Sequence, residues 1–104
     1  MSNFELYDIR VTVKAIEGRS VCGMRVGDYF DLTESSKLQI PPGKHFCIYA
    51  LSAVLPLLAA KQRQLSQNDW LERDSLVVCP DPDERLIMEI TRLGKRTMDS
   101  DDLT

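Results

Sequence analysis

Apolar and polar residues alternate from Tyr7 to Ala15. Tyr7, Ile9, Val11, Val13 and Ala15 share one side, and Asp8, Arg10, Thr12 and Lys14 the other. A period of two with β-branched residues predicts a strand with one face on a core. A second strand is predicted over 28–33, where Phe30 and Leu32 share a face, and a short third over 37–40. Pro41-Pro42-Gly43 then ends the ladder, because proline lacks the amide donor. From Phe46 to Ala60 only Ser52 and Pro56 interrupt an apolar run in which Ile48, Leu51, Leu55 and Leu58 follow a helical stripe. Pro56 predicts a bend, so 45–65 reads as a kinked apolar helix pair, with Lys61 and Arg63 suited to its C-terminal end. Ser66 is an N-cap candidate for a short turn through Trp70, which is expected to cover core.

The last predicted strands, 75–79 and 85–93, flank the turn Pro80-Asp81-Pro82-Asp83-Glu84 and read as a hairpin with Leu86, Met88 and Ile90 inward. After Gly94 the periodicity stops, and 94–104 reads as a flexible acidic tail behind a single globular domain of residues 1–93. The order of elements predicts an α+β fold: a small, mostly antiparallel sheet packed against the apolar helices, with the first and last strands paired.

Composition narrows the function classes. The 104 residues suit one domain, and 43% hydrophobic with 28% charged residues is an ordinary globular balance. Thirteen Lys and Arg stand against 16 Asp and Glu, for a net charge of -3 and an isoelectric point near 5.1. That argues against a dedicated nucleic-acid binder, which normally carries a basic face. As a helix the apolar run spans roughly 22 Å, less than the ~30 Å of bilayer hydrocarbon, so no membrane span is expected. A helix apolar on every side must be covered on every side. Either loops and the Trp70 segment cover it, or a homo-oligomer, most simply a dimer, does. The opening residues Met1 to Glu5 show neither a basic nor an apolar leader region, and the three cysteines have no Cys-x-x-Cys spacing. The expected setting is therefore a reducing cytoplasm with free or metal-bound thiols.

The chemistry-bearing residues are those cysteines. Cys22 precedes the Gly23–Asp28 turn, Cys47 opens the long helix and Cys79 ends a strand. A helix N-terminus stabilises a thiolate, which makes Cys47 the first candidate for a reactive or ligating sulfur. His45, the single histidine, reaches the same centre only if it lies in the loop before the helix. Three thiolates and one imidazole form a tetrahedral set for a zinc-like ion, so Cys22, Cys47, Cys79 and His45 are the candidate metal ligands. Their spacings match no short zinc motif, and free cysteines also pack as small hydrophobes. Gly27-Asp28, Asp81 and Asp83 read as turn residues. No nucleophile elbow, phosphate-cradling loop or dinucleotide fingerprint is present, so no catalytic residue or organic cofactor site is assigned.

Cys22 with Val26-Gly27-Asp28-Tyr29-Phe30, then Ile40-Pro41-Pro42-Gly43, Phe46-Cys47-Ile48-Tyr49-Ala50-Leu51, Leu55-Pro56-Leu57-Leu58, Trp70 and Val78-Cys79-Pro80-Asp81-Pro82 resemble a family of small uncharacterised prokaryotic single-domain proteins. The resemblance covers about residues 7 to 93 and implies a cysteine at each of the three positions, hence a shared thiol site. It also implies a histidine in the first turn, where this chain has Gly23-Met24-Arg25. Two functions are expected. One is a thiol-lined site for a metal ion or a small redox or electrophilic ligand. The other is a non-enzymatic interaction or oligomerisation module built on the apolar helix 46–60.

Overall fold

The computed structural model describes residues 2–73 and 75–104. Five strands, β1 (Asn3–Ile16), β2 (Tyr29–Thr33), β3 (Lys37–Gln39), β4 (Leu76–Val78) and β5 (Leu86–Asp99), form one sheet in the order β3-β2-β1-β5-β4. Every pairing is antiparallel, and β1 and β5 pair along most of their length. The helices are α1 (Ile48–Lys61) and the four-residue α2 (Trp70–Arg73). This is the α+β architecture that the alternation predicts.

One sheet face and α1 enclose the core. Ile9, Val11 and Val13 of β1, Phe30 of β2 and Leu86, Met88 and Ile90 of β5 meet Ala50, Val54 and Leu58 of α1. The Phe46 ring packs edge-on to Phe30, with centroids 4.8 Å apart. The opposite sheet face is polar: Arg10 grips Asp31 through two bonds of 2.8 and 3.0 Å and lies over the Tyr29 ring. Among the described residues no helix is long and apolar enough to cross a membrane.

Four expectations are corrected. First, α1 is one helix with Pro56 inside it, and α2 is a separate short turn further on. Ser52 and Pro56 both lie on the exposed side of α1, so the amide bond that proline removes faces water. Second, the buried stripe is Ala50, Val54, Leu58 and Lys61, while Ile48 is 68% and Leu55 50% exposed. A run apolar at nearly every angle leaves the choice of face open, and small Ala50 and Val54 let the helix approach the sheet. Third, Trp70 is exposed and covers no core.

Fourth, residues 94–99 are no tail. They complete β5 and pair with Asn3 to Tyr7, and Ser100–Asp102 follows as a 3-10 turn capped by the Asp99 side chain. A bulge between Ile9↔Arg92 and Tyr7↔Lys95 shifts the register there, and a bulge shifts side-chain parity. That shift ends the alternation at Gly94. Polar residues suit this ribbon because Arg96 binds Asp8 through bonds of 2.9 and 2.6 Å. The Arg96 hydrogen bond also holds the Asp8 carboxyl below the usual carboxylate range.

The helix end is tied to the sheet by polar bonds. Tyr7 N–H donates to the Gln62 carbonyl at 2.7 Å. Arg92 donates to the Lys61 and Arg63 carbonyls and to both oxygens of Glu72.

Candidate functional site

Three separate segments meet at the N-terminal end of α1. The first is the loop after β1. Its amides at Glu17, Gly18 and Arg19 donate to the carbonyls of Arg85, Glu84 and Asp83, extending the β1–β5 ladder into the 80–85 turn. A Cβ at Gly18 would overlap the Asp83 carbonyl oxygen, so glycine permits this approach. Buried Met24 anchors the loop, and Ser20 Oγ donates to the Met24 carbonyl. The chain then returns to β2, and Cys22 is held between.

The second segment is the approach to α1. Gly43 takes a φ of +75°, Phe46 enters the core, and Cys47 is the N-cap residue with extended dihedrals and no side-chain cap bond. The third is the 79–85 turn. The Cys79 amide donates to the Leu86 carbonyl at 2.9 Å, fixing Cys79 at the end of the hairpin. Asp81 Oδ1 accepts the Asp83 and Glu84 amides, and Arg85 turns the chain back with φ +47°. Asp81 is therefore the turn residue its context predicts. Asp28 is likewise a turn residue, since its carboxylate accepts the Arg25 amide.

Together the three segments line a cavity of about 610 Å³ that contains Cys22, Cys47, Cys79 and Glu84. Val21, Ile48, Tyr49 and Pro80 form its apolar walls and Asp81 contributes a polar edge. That size and lining suit a small organic ligand. Cys79 is buried, whereas Cys22 and Cys47 are partly open.

Glu84 is 1% exposed, and no cation among the described residues pairs with it. Its Oε2 accepts the Val21 amide at 3.1 Å and the Cys22 thiol at 3.2 Å. Burial pushes the Cys22 thiol up to about 11, with Glu84 and Cys47 adding in the same direction. Burial also raises Cys79, again with help from Glu84 and Cys47. Both environments favour the neutral thiol.

His45 does not join the sulfurs. Its Nε2–H donates to the Cys22 carbonyl at 2.8 Å and braces the loop from outside the cavity. Among the described residues no group of three or more His, Cys, Asp and Glu side chains is arranged to hold a metal ion. The zinc-like set of Cys22, Cys47, Cys79 and His45 thus shares a region without a coordinating geometry.

Glu84 escaped the sequence reading because it sits in an acidic turn. One signal was available: it has the parity of inward-facing Leu86, Met88 and Ile90. Gly18 had no signal, since its constraint comes from a backbone 65 positions away in the chain. The chain matches no known protein family, none of the curated proteins and none of the solved structures.

Proposed function

We propose that this is a small cytoplasmic protein whose thiol-lined pocket holds a small, largely apolar ligand that reacts with sulfur. The convergence of Cys22, Cys47, Cys79 and Glu84 in one apolar-walled cavity carries the reading. Three segments far apart in sequence supply those groups. Cys47 is the attacking sulfur, because it is partly open and stands at the N-terminus of a 14-residue helix whose dipole favours negative charge. Cys22 and Cys79 remain neutral beside it.

The test compares a neutral apolar electrophile, N-ethylmaleimide, with anionic iodoacetate on the folded chain, with mass mapping over time. Cys47 is expected to react first. The preference for the neutral reagent is expected to exceed that of the urea-unfolded chain by about tenfold. Equal labelling of the three thiols, or the same reagent preference folded and unfolded, rejects the reading.

A second reading rests on a different observation. Ile48, Tyr49 and Leu55 leave an apolar strip on the outer side of α1, and a second copy of the chain would cover it. Light scattering of the parent and of Leu55→Lys tests it. A monomeric parent at high concentration removes this reading.

A further inference from the structure

We propose that Cys22 and Cys47 close into a reversible disulfide when a hydroperoxide enters the pocket. The inference rests on the thiol-pocket reading, because it uses Cys47 as the attacking sulfur, and it assigns that site a substrate class and a partner thiol.

The choice of partner follows from the backbone. Cys79 is buried and its amide is bonded into the hairpin. Cys22 lies in an irregular loop, partly open, next to Gly23 at φ +75°. A disulfide needs a narrow range of Cα separations and dihedrals, and the loop can adjust to reach them where the hairpin cannot. Cys22 and Cys47 are also both partly open on the wall of the same cavity, whereas Cys79 is buried.

The chemistry balances. The Cys47 thiolate attacks the distal oxygen of R–O–O–H. The O–O bond breaks, RO⁻ leaves and takes up a proton, and Cys47 becomes a sulfenic acid. The Cys22 sulfur then attacks the Cys47 sulfur. An S–S bond forms, the S–O bond breaks, and hydroxide leaves as water with the Cys22 proton. Glu84 Oε2, 3.2 Å from Cys22 Sγ, relays that proton. Two thiols lose two electrons and the O–O bond gains them. Because burial keeps Cys22 protonated, it acts second, once the sulfenic acid provides a leaving group. Two equivalents of a small thiol restore both cysteines by successive exchange, the first forming a mixed disulfide and the second releasing it as the small thiol's own disulfide.

The experiment treats the folded, reduced chain with hydrogen peroxide, then counts free thiols and maps peptides without reduction. Free thiols are expected to fall from three to one, with a Cys22–Cys47 peptide that dithiothreitol dissolves and Cys79 still free. In Cys22→Ser, oxidation is expected to stop at a Cys47 sulfenic acid that dimedone traps. A bond between Cys47 and Cys79, a bond between chains, or no disulfide in the parent overturns the proposal; the parent map suffices even if the variant does not fold. Maleimide labelling of the same sample separates the two ideas. Selective labelling of Cys47 without a disulfide sinks only the pair, and unselective labelling sinks the pocket reading.

Discussion

Gly18→Ala tests how the site is held together. In most extended segments replacing glycine with alanine stabilises by about 0.4–1 kcal/mol, since the unfolded chain loses freedom. Here the added methyl meets the Asp83 carbonyl, so the two segments must part. The bonds at risk run from Glu17, Gly18 and Arg19 to Arg85, Glu84 and Asp83, at 3.1, 2.9 and 3.2 Å. At about 1 kcal/mol each they amount to about 3 kcal/mol. Shifting Glu84 away from the Val21 amide and the Cys22 thiol adds about 1 kcal/mol more. The expected loss is therefore about 3–4 kcal/mol, a fall in Tm of about 15 °C or more for a domain this size. Urea and thermal denaturation followed by circular dichroism read it directly. Gly94→Ala is the control, because a Cβ there meets nothing within 4 Å; it is expected to match or slightly exceed the parent. A Gly18→Ala variant within about 1 kcal/mol of the parent would falsify the close approach, and with it the placement of Glu84.

Three further outcomes follow from the polar contacts. The Cys22 thiol is raised to about 11 by burial, so its contribution is full below the unfolded thiol range near 9 and is lost as pH rises through 11. The urea midpoint of the parent is expected to drop over that window more than that of Cys22→Ser, and parallel curves would refute the assignment. Arg92→Lys removes the paired grip on Glu72 and leaves helix-end carbonyls short of donors; unfolding should cost about 2 kcal/mol less. Because the Arg92 hydrogen bond lowers Glu72, the part of that loss due to the ion pair should be present above about pH 4.3 and fade as pH falls through the folded value. Asp8→Asn breaks the bidentate bond to Arg96, and amide exchange at residues 95–99 should quicken several-fold while β5 residues 86–90 stay protected. Uniform exchange along β5 would show that the ribbon end is held by something else.

The candidate site was half legible before folding. Its three cysteines stood out as a rare residue type at element ends, and Cys47 could be placed at a helix start from the Pro-Pro-Gly punctuation before it. Glu84 looked like one more solvated carboxylate in an acidic turn. His45 looked closer to Cys47 than it is in function, because adjacency along the chain says little about direction when the backbone is still extended. The cavity itself was invisible, since each of its walls comes from a different segment.

Local pattern alone, meaning alternation in the strands, a long apolar run in the helix and proline-rich turns between elements, determined the strands, the long helix, the hairpin and the α+β class. A period of two or 3.6 records which side of an element avoids water, and Ile9, Val11, Val13, Leu86, Met88 and Ile90 carry that record plainly. Only the tertiary structure decided which side of α1 faces the sheet, that residues 94–99 continue β5, and that Cys22, Cys47, Cys79 and Glu84 surround one space. The reason is physical. An all-apolar helix has no preferred side until a partner surface selects one. A bulge erases the alternation that would announce a strand. Contacts between residues 18 and 83 depend on a steric fit that neither segment encodes by itself.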